Sequence, residues 1–188
     1  MILIIDNYDS FTYNLVQNVG ELKLKIQIER NDEISVKKIA NINPSHIIIS
    51  PGPGNPKDSG ACLDILTNYA QKIPILGVCL GHQTIGYTYG AKIKQLITPF
   101  HGKTSEVFHN KHKLFNELPS PFLAARYHSL TIDKNSLPEN LKVIAWAKDN
   151  TIMGCQHKIY PKLCGVQFHP ESLWTHSGKT IIHNFLFS

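Results

Sequence analysis

Four strand-length runs, the second alternating and the others apolar, divide the first 79 residues, with helical patterns between them. The runs are "MILIID" (1–6), "KIQIER" (25–30), "HIIIS" (46–50) and "IPILGVC" (73–79). Between the first two lies "SFTYNLVQNVGEL" (10–22), whose Phe11, Leu15, Val19 and Leu22 recur at helical spacing, with Ser10 placed to cap it. "SVKKIANI" (35–42), led by Ser35, and "CLDILTNYAQ" (62–71) fill the next two gaps, and "GHQTIGYTYG" (81–90) follows the fourth run. Strands alternating with helices at this pace predict an α/β fold: an open, mostly parallel central sheet with helices on both faces.

The second half changes character. "AKIKQL" (91–96), "TSEVFH" (104–109), "FLAARYH" (122–128), "LKVIAWAK" (141–148), "IMGCQHK" (152–158) and "LCGVQFH" (163–169) all read as strands, the last two joined by a hairpin at "IYPK". These predict a small antiparallel addition. "GKTIIHNFLFS" (178–188) closes the chain as a helix. With no long linker, repeat or low-complexity tract, residues 1–188 read as one domain.

Composition excludes several classes of protein. The net charge of +5 comes from scattered basic residues, dense only at Lys37-Lys38 and from Lys111 to Lys113, so no basic stripe marks a nucleic-acid face. No apolar run approaches the ~20 residues of a membrane span, and "MILIID" meets Asp6 too soon for a signal peptide. The four cysteines form no C-x-x-C pair, which removes zinc-ribbon and thioredoxin-like readings. A soluble protein in a reducing compartment is expected, and the abundance of Ile, Lys and Asn points to an AT-rich bacterial or organelle genome.

Cys79 stands apart from the other cysteines. It ends a strand, is flanked by Gly77 and Gly81 in "GVCLG", and opens a helix. That is the layout of a nucleophile elbow, G-x-S-x-G, with sulfur in place of oxygen. Ligands gather beyond the carboxyl ends of parallel strands, and a helix N-terminus favours the thiolate, the attacking species. Cys62, Cys155 and Cys164 lack this setting and read as core thiols, the last two able to face each other across the hairpin. A thiolate needs a general acid/base with a third group to orient it. "GVQFHPES" (165–172) supplies His169 at a strand end and Glu171 within reach of it. "SPGPGNP" (50–56) leaves a neighbouring parallel strand, and its backbone N–H groups, with that of Leu80, can form an oxyanion hole. His128 and Ser129 of "RYHSL" could line the same cleft, and His109 and His112 of "FHNKH" read as an exposed loop ahead of a metal pair.

Together "PGPG", "GVCLGHQ" and "GVQFHPES" resemble the class I glutamine amidotransferases of the Cys-His-Glu type, in family order and over nearly the whole chain. "IIDNYDSFTYNL" and "RYHSL" narrow the resemblance to small subunits that feed ammonia to anthranilate synthase or aminodeoxychorismate synthase. The resemblance implies a flavodoxin-like fold and a catalytic triad of Cys79, His169 and Glu171. Backbone N–H groups of Gly54 and Leu80 would receive the oxyanion, and Gly52, Pro53, Gly54, Gln83, Ser129 and Leu130 would hold substrate glutamine. It further implies no metal or other cofactor in this chain, with Mg2+ in a chorismate-binding large subunit (anthranilate synthase component I or aminodeoxychorismate synthase component I) that "HGK" (101–103) would face. The expected setting is bacterial cytoplasm or plastid stroma, with no synthetase domain fused to the chain and neither nucleic acid nor membrane as partner. Anthranilate synthesis is the expected pathway, aminodeoxychorismate synthesis or dual use the alternative. A stand-alone γ-glutamyl cysteine hydrolase and a non-catalytic regulatory protein are the readings from other classes.

Overall fold

The structure, a computed structural model, describes residues 1–187. The first half folds as β1 (Ile2–Asp6), α1 (Thr12–Gly20), β2 (Ile26–Arg30), α2 (Val36–Ile42), β3 (His46–Ile49), α3 (Cys62–Tyr69), β4 (Ile75–Val78) and α4 (Leu80–Thr88). The second half adds β5 (Ile93–Gln95), β6 (Lys103–His109), β7 (Phe122–Arg126), β8 (Leu130–Ile132), β9 (Leu141–Ala147), β10 (Ile152–His157), β11 (Leu163–Val166) and α5 (Gly178–Phe187). Ser188, expected to end the last helix, lies outside the described residues.

Nine strands form one sheet in the order β2-β1-β3-β4-β11-β10-β9-β6-β7. The strands from β2 to β11 in that order pair in parallel. Those from β11 to β7 pair antiparallel, extending the same sheet. A separate antiparallel pair joins β5 to β8. β8 escapes the sequence pattern because its three residues follow "RYHS" without a turn signal.

The two-residue period of the strands sorts the core. Ile2, Ile4, Ile48, Leu76 and Val78 pack beneath Leu15 and Val19 of α1 and Ile181 and Ile182 of α5. Leu3, Ile5, Ile47, Ile49 and Ile75 face the other way, against Ile39 of α2, Ile65 and Leu66 of α3 and Ile85 of α4. Parallel strands buried on both faces need such continuous apolar runs, and each buried isoleucine contributes roughly 1.5–3 kcal/mol.

Helix starts follow local chemistry, with one correction. Ser35 Oγ accepts from Lys38 N–H at 3.2 Å, as expected. Ser10 does not cap α1. Asp9 Oδ1 accepts from Phe11 N–H at 2.8 Å and Asp6 Oδ1 from the Thr12 hydroxyl at 2.8 Å, setting two carboxylates at the positive end of the helix.

Three other expectations change. In the β10–β11 hairpin Cys155 pairs with Gly165 and Gln156 with Cys164, so the two cysteines sit one position out of register. Their side chains therefore enter opposite core layers, and all four thiols are free. β11 stops at Val166, so His169 stands on the loop after the strand. His109 ends β6 buried, its Nε2 3.1 Å from the Pro119 carbonyl oxygen. Among the described residues no cluster of three or more His, Cys, Asp or Glu could hold a metal, and no helix is long and apolar enough to cross a membrane.

Candidate active site

Cys79 alone makes the turn between β4 and α4, with φ 50° and ψ −98°. A side chain held there costs about 1–3 kcal/mol and persists only where its surroundings enforce it. Here they do. Cys79 N–H donates to Val166 O at 2.8 Å, and Cys79 O accepts from Gln83 N–H at 3.0 Å. A Cβ on Gly77 would lie 2.5 Å from the Gly81 carbonyl, and one on Gly81 would lie 2.6 Å from the Ile49 carbonyl oxygen. The flanking glycines thus let helix and sheet close on one another and leave the cysteine no other path.

His169 Nδ1 lies 2.6 Å from Glu171 Oε1, both side chains buried. With Nδ1 committed to the carboxylate, the buried Nε2 has no hydrogen-bond partner. Tyr127 and Phe11 meet the imidazole edge-on, at centroid distances of 5.1 and 5.7 Å. Burial disfavours the imidazolium, but the negative charges of a Cys79 thiolate and of Glu171 outweigh it and raise the pKa of His169 well above the ordinary value. The surroundings therefore favour a protonated imidazole.

Cys79 and His169 share the walls of one open cleft of about 420 Å³, large enough for an amino acid. Pro51, Gly52 and Pro53 line it from the loop after β3, and Tyr8 to Phe11 from the loop after β1. Those two loops are locked together. Asn7 N–H donates to Ser50 Oγ and Asn7 Nδ2 to Ser50 O, each at 2.9 Å. A Cβ on Gly52 would lie 2.5 Å from Asn7 Cβ and 2.8 Å from Leu80 Cδ2, so only glycine fits there.

The remaining expected residues are placed unevenly. Gln83 Nε2 donates to Leu130 O at 2.8 Å and to Gln167 Oε1 at 3.1 Å, which joins Gln83 and Leu130 behind the cleft. Gly54 turns the loop at φ +83°, and neither it nor Ser129 is among the residues lining the cleft. His101 reaches the cleft mouth, while Gly102 and Lys103 are exposed. His128 does not line the cleft. It is buried between Arg126 Nε at 3.1 Å and Leu130 O at 2.8 Å, and burial together with the Arg126 guanidinium lowers its pKa to about 4. Sequence reasoning passed over Asn7, Phe11 and Tyr127. Phe11 carries the helical period and so reads as core, and nothing in "RYHSL" separates the tyrosine from its neighbours.

The sequence model of the family described as "Glutamine amidotransferase class-I" matches residues 3–188. The chain belongs to the class I glutamine amidotransferases. This amidotransferase is 58% identical over 188 residues to anthranilate synthase component 2 of Porphyra purpurea, covering 100% of both chains. It is 49% identical to anthranilate synthase beta subunit 1, chloroplastic, of Oryza sativa subsp. japonica, covering 98% of this chain and 66% of that one. The crystal structure of a glutamine amidotransferase from Thermotoga maritima superposes with a TM-score of 0.77 at 15% identity, covering 100% of this chain and 98% of that one, a likeness of fold. The expected flavodoxin-like architecture of the amidotransferase stands.

Proposed function

We propose that the chain is the glutaminase subunit of an anthranilate synthase, formed by one amidotransferase domain over residues 1–188. The observation that carries the reading is the His169–Glu171 pair, with its unpartnered Nε2 in the cleft it shares with the strained Cys79.

The Cys79 thiolate attacks the side-chain carbonyl carbon of glutamine, forming a C–S bond and a tetrahedral oxyanion. Backbone N–H groups of Gly54 and Leu80 receive that oxyanion, which requires the Gly54 loop to turn its N–H inward. Collapse breaks the C–N bond, and His169 Nε2 gives its proton to the departing nitrogen, which leaves as ammonia. The same Nε2, now basic, takes a proton from water as that water attacks the γ-glutamyl thioester, releasing glutamate and restoring the thiolate. Glu171 keeps the imidazole in one orientation throughout. Gly52, Pro53, Gln83, Ser129 and Leu130 hold the glutamine.

No metal or cofactor enters these steps. The ammonia passes to a chorismate-binding large subunit, where Mg2+ acts, and the exposed His101–Lys103 segment faces that partner. The relatives' names support anthranilate as the product, and they include both chloroplastic and bacterial proteins, in keeping with plastid stroma or bacterial cytoplasm as the setting.

The test is reconstitution. The chain is mixed with an anthranilate synthase large subunit, glutamine and chorismate, and anthranilate fluorescence is followed, with an aminodeoxychorismate synthase large subunit in parallel and Cys79→Ala as control. Glutamine-dependent anthranilate that is lost in the control is the expected result. Product with the second partner alone would move the chain to the other pathway. Glutamine hydrolysis with no product from either partner would sink the subunit reading.

A further inference from the structure

Gln167 is the first residue after β11, is fully buried, and belongs to neither the triad nor the expected glutamine site. Its Nε2 lies 3.6 Å from Cys79 Sγ, a donor distance for sulfur. A chain of hydrogen bonds dictates which end of this amide meets the thiol. Arg126 can only donate, so its Nε makes His128 Nε2 an acceptor at 3.1 Å and leaves the ring proton on Nδ1, which donates to Leu130 O at 2.8 Å. Gln83 Nε2 gives one hydrogen to the same carbonyl at 2.8 Å and its other to Gln167 Oε1 at 3.1 Å. The Gln167 carbonyl is therefore pinned towards Gln83, and its NH₂ group is left for the sulfur. The reversed amide would set two NH₂ groups against each other and aim a carbonyl oxygen at the nucleophile. Arg126 is itself held by Asp149 Oδ2 at 2.9 Å and Thr151 Oγ1 at 3.1 Å, so the chain starts from a fixed point.

We propose that Gln167 is a further catalytic residue: a neutral N–H donor, oriented by Gln83, that stabilises the Cys79 thiolate independently of the proton on His169. The inference rests on the reading of Cys79 as nucleophile. It gives the sulfur an electrostatic partner whose charge does not change with pH. The titratable groups that face Cys79 are His169, backed by Glu171, and, across the cleft, Tyr8, Asp9, His101 and Tyr127. None of them is bonded to Gln167.

The experiment is alkylation of the purified chain by iodoacetamide as a function of pH, which needs no glutamine turnover. Cys62 and Cys164 give little background, since burial pushes both thiols up to about 12, and Cys155 is raised by burial as well. Gln167→Met keeps the volume and removes the donor. The lost hydrogen bond to a charged group shifts the alkylation midpoint up by about one pH unit and slows labelling about tenfold at pH values below both midpoints. Gln83→Met, which frees the amide to rotate, gives a smaller shift in the same direction. A folded Gln167→Met chain with the wild-type midpoint would overturn the inference. Should that variant fail to fold, a wild-type midpoint in Gln83→Met would do the same. Labelling that persists unchanged in Cys79→Ala would instead remove the nucleophile assignment, and the inference with it.

Discussion

Replacing Glu171 by glutamine separates the charge of this residue from its shape. The carboxylate lies 2.6 Å from His169 Nδ1, and its second oxygen is buried without a partner. Its main effect is therefore on the imidazole. Burial works against the imidazolium, and two anions, Cys79 and Glu171, overcome it. Glu171→Gln removes one of them. A charge-assisted hydrogen bond contributes about 1.5–3 kcal/mol, and two unit charges about 4 Å apart interact by about 4 kcal/mol at an effective dielectric of 20. A loss of ~2–4 kcal/mol corresponds to a 30- to 1000-fold fall in kcat/KM for glutamine hydrolysis. The sign of the pH effect follows. His169 holds its proton less firmly in the variant, so the alkaline limb of the rate profile moves to lower pH. Stability should change little, because the lost attraction is offset by removal of the desolvation cost of a buried charge. The assay is glutamate release across pH 5–10, with circular dichroism melts alongside. Activity within threefold of wild type and an unmoved alkaline limb would refute the claim that the Glu171 charge sets the protonation of His169.

Gly81→Ala should cost at least about 1–3 kcal/mol, because the new Cβ meets the Ile49 carbonyl rather than a flexible side chain. Chemical denaturation would show it, and wild-type stability would mean that the elbow is not closely packed. A Cβ on Gly178 collides with the carbonyl of Pro170, which lies between His169 and Glu171. Gly178→Ala should therefore lower kcat about tenfold or more while KM for glutamine stays near wild type, and an unaffected kcat would show that the loop tolerates displacement. Burial, with His128 nearby, lowers the pKa of His82 to about 3, and that of His128 falls to about 4. Both are neutral in the folded chain and charged in the unfolded chain below about 6.5, so stability falls with acid from pH 6.5 towards 4, by up to about 2–3 kcal/mol per pH unit for two protons. Urea titrations at pH 6.5, 5.5 and 4.5 test this, and a flat response would contradict the neutral assignment.

β1 to β4 were legible because each carries its own signal, a strand-length run of apolar or alternating residues with a helical pattern after it. The elbow was legible for a similar reason, since Gly77, Cys79 and Gly81 lie within five residues. His169 and Glu171 were readable as a pair because two residues of chain bring them together. Apart from the Ser10 cap, the misreadings share a cause. The end of β11, the core layers of Cys155 and Cys164 and the burial of His128 all depend on which strand lies alongside, and alternation within one strand carries no such information. Arg126 shows this most clearly. Its place in "AARYH" reads as the charged end of a strand, yet it is 1% exposed, with its guanidinium 3.4 Å from the centre of the Phe100 ring and paired with Asp149.

What the sequence hides above all is that β11 lies beside β4. The strands β5 to β10 intervene in the chain, yet the sheet order places β3, β4 and β11 side by side. Neighbouring strands run about 4.8 Å apart. Groups just beyond the carboxyl ends of three adjacent parallel strands therefore begin within side-chain reach of one another. β3 delivers the Pro51–Pro53 loop, β4 delivers Cys79, and β11 delivers Gln167 and His169. The hydrogen bond from Cys79 N–H to Val166 O closes β4 onto β11 at the point where both strands end. Register and reactivity are thus one constraint. Because side chains alternate between faces, a slip of a single residue between β4 and β11 would send Gln167 away from the sulfur and carry His169 out of the cleft. The Leu163↔Ile75 to Val166↔Val78 register of a buried strand pair is accordingly as much a part of the site as the triad it aligns.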